Sequence, residues 1–126
     1  MTEPARILLI DDDMVDRMAI RRALEQSGYQ AALDEAADPD EALAKVSGTA
    51  YDCLLLDHDL PRMSGTELTR RLRAAGNLTP VVLVTGAQDE ELLQTAVDAG
   101  VTDFFPKGDL SPRRLALRIR FAIRIG

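Results

Sequence analysis

The chain predicts an α/β fold, a (βα)5 doubly wound sandwich around a central five-stranded parallel sheet. Two observations predict it. Three short apolar runs, Ile7–Ile10, Cys53–Leu56 and Val81–Val84, have no polar alternation and end in polar residues, as strands buried on both faces do. Helical patterns with marked ends separate the strand candidates in strict alternation, the order of a parallel sheet with crossover helices. The 126 residues suffice for one domain with a proper core and not for two. Residues 1–126 therefore read as a single domain, without internal repeat, low-complexity tract or linker.

The elements follow in order. The first strand, Ile7-Leu8-Leu9-Ile10, runs into Asp11-Asp12-Asp13. Asp13 is the expected N-cap of a helix carrying Ile20, Ala23 and Leu24, with Gly28 placed to close it. Ala31–Ala36 is a weaker strand candidate. Asp38-Pro39 reads as N-cap followed by proline in the first helical turn. Cys53-Leu54-Leu55-Leu56 leads into Asp57-His58-Asp59, with Cys53 a small buried apolar residue. Ser64-Gly65-Thr66-Glu67 has capping-box spacing. The fourth strand ends at Thr85-Gly86. Leu92, Leu93, Ala96 and Val97 share helical spacing before Gly100, and Val101–Phe105, the second weak strand candidate, leads to Lys107.

Ser111-Pro112 opens a last helix with two apolar stripes. Leu115, Ile119, Ala122 and Ile123 form one, and Leu117, Phe121 and Ile125 the other. At ~100° per residue they face nearly opposite ways. One must face the sheet. The other is expected to lie exposed among Arg114, Arg118, Arg120 and Arg124, as a partner surface: a homodimer contact or a helical extension into an output domain. The helical pattern is still running where the sequence stops, as in a piece of a longer protein.

Apolar residues make up 46% and charged residues 29% of the chain, an ordinary globular balance. No apolar run approaches the ~20 residues of a membrane span, and the first residues lack a signal-peptide core. The expectation is a cytoplasmic protein without a membrane partner. The single cysteine, Cys53, excludes an internal disulfide and argues against a cysteine-based zinc site. The net charge of −6 argues against direct nucleic-acid binding. The charge is uneven: residues 31–60 hold eight acids and one lysine, residues 111–126 five arginines and no acid.

In open α/β sheets, sites form beyond the carboxyl ends of the strands. Those ends deliver Asp11-Asp12-Asp13, Asp57-His58-Asp59, Thr85 and, just past the fifth strand, Lys107. Carboxylates gathered on one rim repel one another, and a divalent cation removes the conflict. An all-oxygen donor set favours Mg²⁺ over zinc. A hydroxyl and an ammonium on the same rim suit the remaining oxygens of a phosphoryl group, and a carboxylate can itself be the nucleophile. His58 is the only histidine and is expected at the rim, facing solvent. Asp13 is expected to serve the helix dipole alone.

The run Ile-Leu-Leu-Ile-Asp11-Asp12-Asp13, the run Leu-Leu-Leu-Asp57-His-Asp-Leu-Pro61-Arg-Met-Ser-Gly65, the run Val-Val-Leu-Val-Thr85-Gly86 and the run Gly100-Val-Thr-Asp-Phe104-Phe-Pro-Lys107 together resemble a response-regulator receiver domain, CheY-like and flavodoxin-like in fold, over essentially the whole chain. The resemblance implies a two-component phosphoacceptor. Asp57 would accept a phosphoryl group from a phosphohistidine on a sensor histidine kinase or phosphotransfer protein. Asp11, Asp12, Asp57 and the backbone carbonyl of Asp59 would hold Mg²⁺. Thr85 and Lys107 would meet the phosphoryl oxygens, Phe104 would be the aromatic switch residue, and the face of the last two helices and last strand would respond. Such a domain catalyses only its own phosphorylation and dephosphorylation.

The sequence departs from the family pattern at three points. Pro106 precedes Lys107 and Gly108 follows it, where the family usually has Lys-Pro, so a differently shaped last loop is expected. Phe104 has no hydroxyl. Asp59 brings an acid to the border of the site, where it is expected to affect phosphoryl lifetime or metal affinity.

Two other readings compete. A haloacid-dehalogenase-type phosphatase also uses an aspartate nucleophile with an acid two residues later, but on its first strand and with its further acids downstream. Here Asp11 and Asp12 lie upstream. A degenerate receiver that only binds proteins typically lacks one of the acids, the threonine or the lysine, and this chain has them all. A nucleotide site is weaker still, since no glycine-rich loop follows the first strand.

Overall fold

The computed structural model describes residues 3–86 and 89–126. Along them alternate β1 (Ala5–Ile10), α1 (Met14–Ser27), β2 (Ala31–Ala36), α2 (Pro39–Gly48), β3 (Cys53–Asp57), α3 (Gly65–Ala74), β4 (Val81–Thr85), α4 (Glu90–Ala99), β5 (Asp103–Pro106) and α5 (Pro112–Ile125). The strands form one parallel sheet in the order β2-β1-β3-β4-β5, the doubly wound sandwich expected. Strand order reverses at β1, whose neighbours are β2 and β3, the place beyond whose strand ends sheets of this kind carry their sites.

The pleat divides the core into two layers. Ile7, Leu9, Cys53, Leu55, Val82, Val84 and Phe105 face α1 and α5, where they meet Ile20, Ala23, Leu24, Leu115 and Ile119. Leu8, Ile10, Leu54, Leu56, Val81 and Leu83 pack on the other side, with Ala42, Leu68, Leu72 and Ala96 from α2, α3 and α4. The inner strands β3 and β4 are buried at every residue. That explains their unbroken apolar runs. The weak strand signals belong to the edges, where β2 alternates in exposure and β5 has four residues, mostly half-buried.

Caps fix where the helices start and stop. Asp13 accepts from the Val15 N–H at 2.8 Å, Asp38 from Glu41 at 2.8 Å and Ser64 from Glu67 at 3.1 Å. The side chain of Glu67 turns to Arg70 and Arg71. The last strand, expected over Val101–Phe105, is Asp103–Pro106. Gly100 takes a left-handed φ of 104°, and the Val101 N–H closes α4 on the Ala96 carbonyl at 3.0 Å. Val101 therefore has no amide to offer the ladder. Val97 also departs from expectation: α4 buries Ala96 and Ala99 and leaves Val97 half exposed. No helix of the described residues is long and apolar enough to cross a membrane.

The two stripes of α5 separate as expected. Leu115, Ile119 and Ala122 are fully buried, Ile123 is half-buried, and Leu117, Phe121 and Ile125 are more than half exposed. Ile119→Ala should cost about 2–5 kcal/mol of stability and Leu117→Ala less than about 0.5 kcal/mol in urea denaturation.

Candidate acidic metal centre

Adjacent strands bring the site together. β1 and β3 pair Ile10 with Leu56, so the residues that follow, Asp11 and Asp57, emerge side by side. Both are buried, at 1% and 3% exposure, whereas Asp12 is exposed. One carboxylate oxygen from each of Asp11, Asp12 and Asp57 lies within 4.8 Å of the others. Asp11 Oδ1 accepts from the Asp13 N–H at 2.9 Å, while its Oδ2 is buried with no hydrogen-bond partner. A buried carboxylate oxygen left without a hydrogen bond is costly. Here it faces a cluster whose hard oxygen donors suit a divalent cation such as Mg²⁺.

Lys107 closes the rim. β5 ends at Pro106, which sits opposite Thr85 and has no N–H to give. The Lys107 N–H donates to the Thr85 carbonyl at 2.9 Å, the regular next bond of the parallel ladder, so the proline nitrogen falls on the open edge of the sheet. The side chain then reaches inward, placing Nζ 3.3 Å from Asp57 Oδ1, 3.8 Å from Asp11 Oδ2 and 2.8 Å from Asp16 Oδ2. Proline before the lysine thus still delivers the ammonium to the site.

The electrostatics follow from burial and crowding. Burial raises the Asp11 pKa to about 6, with the nearby Asp57 charge adding to the rise, against the Asp13 N–H and Lys107. Burial also raises the Asp57 pKa, opposed by the Asp59 N–H and by Lys107. For Lys107, burial works against the charge. Asp16, Asp57 and Asp11 outweigh it and hold the ammonium above its ordinary pKa.

Thr85 is buried at the end of β4, next to Val84, the register partner of Asp57. Phe104 is half-buried against the layer of α2, α3 and α4, while the neighbouring Phe105 fills the layer of α1 and α5. The Asp59 N–H donates to Asp57 Oδ1 at 3.3 Å, and the Asp59 side chain is exposed. His58 is not solvent-facing. Its side chain is only 20% exposed and lines a recess with Thr66, Arg70 and Leu92, because its N–H is held by Val84 and its carbonyl by Gly65. Gly65 is required by close approach: a Cβ there would stand 2.5 Å from the Asp57 carbonyl oxygen.

With this geometry in place, comparison with known proteins decides the family. A family model described as the response regulator receiver domain matches residues 7–120. The chain belongs to the response-regulator receiver family. It is similar to Response regulator MprA of Mycobacterium leprae, 37% identical over 119 residues that cover 94% of this chain and 51% of that protein. The Transcriptional regulatory protein ResD of Bacillus subtilis is 35% identical over 123 residues, 98% of this chain and 50% of that one. The chain thus spans about half the length of these relatives. Among solved structures, a CheY-like response regulator receiver domain protein from Methanospirillum hungatei JF-1 superposes with a TM-score of 0.84 at 29% identity, covering 98% of this chain and 96% of that one. Membership in the receiver family displaces the phosphatase alternative.

Three features of this receiver escaped sequence reasoning. Asp16 is the shortest partner of Lys107; its place one turn past Asp12 and Asp13 was the only signal. Arg17 donates to the Asp11 carbonyl at 2.6 Å and pairs with Glu35 on β2, which also takes Arg21. That clamp crosses elements, so no local pattern announces it. Met14, Val15 and Met18 make an exposed apolar patch on α1 beside the acidic rim.

Two outcomes are expected. Folding raises the Asp11 pKa, so between about 4, the ordinary value, and about 6 the folded chain binds a proton the unfolded chain has released. The contribution of Asp11 to stability therefore falls as pH rises through that window. In metal-free buffer, wild type should lose stability relative to Asp11→Asn as pH rises from about 4 to about 6, and Mg²⁺ should then stabilise wild type but not Asp11→Asn. A pH-independent difference in melting temperature would contradict this. Gly65→Ala should displace the end of β3 and destabilise the chain by about 1–3 kcal/mol, seen in denaturant midpoints.

Proposed function

We propose that this receiver is a Mg²⁺-dependent phosphoacceptor switch of a two-component system, with Asp57 the residue phosphorylated. The observation that carries the reading is the convergence on Asp57 of both an acidic cluster and the Lys107 ammonium, 3.3 Å from its Oδ1. The donor is a phosphohistidine on a sensor histidine kinase or a histidine phosphotransfer protein.

An Asp57 carboxylate oxygen attacks the phosphorus in line, the P–N bond to the donor histidine breaks, and an acyl phosphate forms on Asp57. Lys107 balances the charge of Asp57 beforehand and of the phosphoryl oxygens afterwards. Thr85 supplies a hydroxyl to those oxygens, and Phe104 responds on the adjoining layer. Asp11, Asp12, Asp57 and the Asp59 backbone carbonyl would hold Mg²⁺. Asp11 Oδ2, buried without a hydrogen bond, and the all-oxygen donor set fit it. Bound there, Mg²⁺ supplies charge neutralisation for the transferring group.

The α4-β5-α5 face carries the response as a shift between two arrangements. Leu117, Phe121 and Ile125 present apolar surface there between arginines, for a second copy of the chain or for an output domain of a longer protein. Met14, Val15 and Met18 offer the phosphodonor an apolar landing beside the rim. On this reading, residues 1–126 are one receiver domain, cytoplasmic like its donor, with no catalysis beyond its own phosphorylation and dephosphorylation.

Intact mass after incubation with acetyl phosphate tests the reading. One added phosphoryl group is expected with Mg²⁺, none with chelator and none in Asp57→Ala. A Mg²⁺-dependent acyl phosphate in Asp57→Ala would reassign the phosphoacceptor, and no gain in wild type would leave a receiver that signals by binding alone.

A further inference from the structure

The nearest partner of Lys107 is Asp16, at 2.8 Å, closer than the proposed phosphoacceptor at 3.3 Å or Asp11 at 3.8 Å. One ammonium therefore serves three carboxylates. Two are buried at the strand ends, while the Asp16 side chain is about one-third exposed on the outer first turn of α1. Its position is nonetheless fixed. Asp13 caps α1, Ile20, Ala23 and Leu24 seat the helix in the core, and the next residue, Arg17, is tied to the Asp11 carbonyl and to Glu35.

We propose that Asp16 is a positioning residue for Lys107, holding Nζ toward α1 and competing for it with a phosphoryl group on Asp57. The proposal rests on the phosphoacceptor reading above. Phosphorylation replaces the single charge of Asp57 by a group of charge about −1.5 to −2 with three strong acceptor oxygens. The Lys107 ammonium carries one positive charge to divide between that group and Asp16. The contact to Asp16 is already made at hydrogen-bond distance and belongs to a rigid helix, so it opposes full transfer of the ammonium to the phosphoryl oxygens. Asp16 thereby tunes how tightly the phosphorylated state is held.

A double-mutant cycle on the full chain tests this. The probe is beryllium trifluoride, a phosphoryl mimic that binds a carboxylate, in Mg²⁺ buffer with affinity read by calorimetry. Wild type should bind, and Asp57→Ala should not. Asp16→Asn should bind about threefold to fivefold more tightly, the range of a partly exposed ion pair, and Asp16→Glu should return toward wild type. In a Lys107→Ala background, Asp16→Asn should have no effect. Equal tightening with and without Lys107 would show that Asp16 acts only through its general negative charge, and would overturn the proposal. Unchanged or weaker binding by Asp16→Asn would overturn it too, leaving the phosphoacceptor reading intact. Failure of wild type itself to bind would overturn both.

Discussion

Asp11 and Asp57 emerge from neighbouring strands into the same buried rim, and their mutual repulsion is the constraint around which the rest of the site is arranged. Each is desolvated, so neither charge is screened by water. Lys107 supplies one compensating charge from just past β5, the far edge strand, and Asp11 Oδ2 is left without a hydrogen bond, so the charge balance favours a further cation. A site of this kind is poised for any group that brings or redistributes charge. That is the physical sense in which phosphorylation can act as a switch.

The scaffold keeps these charges in place with ordinary packing. Fully buried strands fix the backbone up to the residue before each acid, since a slip in register would turn the apolar set of a strand to the wrong layer. Beyond the strand ends, local devices take over. Gly65 allows α3 to begin against the Asp57 carbonyl, and the Arg17–Glu35–Arg21 clamp ties α1 and β2 to the Asp11 backbone. Pro106 sits where the parallel ladder asks no N–H of it, and Lys107 keeps its bond to the Thr85 carbonyl, so the departure from the usual family order does not remove the lysine from the site.

Among the described residues, exposed apolar side chains group on α1 at the acidic rim and on α5. On the proposed reading they divide the labour of a receiver. The first meets whatever brings the phosphoryl group, and the second whatever reads the result. The arginines along α5 are partly engaged already, Arg118 with Asp103 and Arg120 over the Tyr29 ring, so the exposed stripe is held at a defined rim rather than on a loose helix.

The sequence by itself determined the alternation of elements, the inner strands and the two faces of α5, because each follows from apolar periodicity within a few residues. It also brought Asp11, Asp12, Asp57, Thr85 and Lys107 to one rim, because parallel strands all end on the same side. The tertiary structure alone decided what lay between elements. Edge position dilutes the strand signal, so the start of β5 depended on the Gly100 closure that takes the Val101 amide. His58 turned into a recess because backbone bonds to Val84 and Gly65 orient it. Asp16 became the closest partner of Lys107 because α1 crosses the rim at that height. Contacts between residues 91 positions apart leave no local pattern, since the energy that selects them comes from packing the whole sheet.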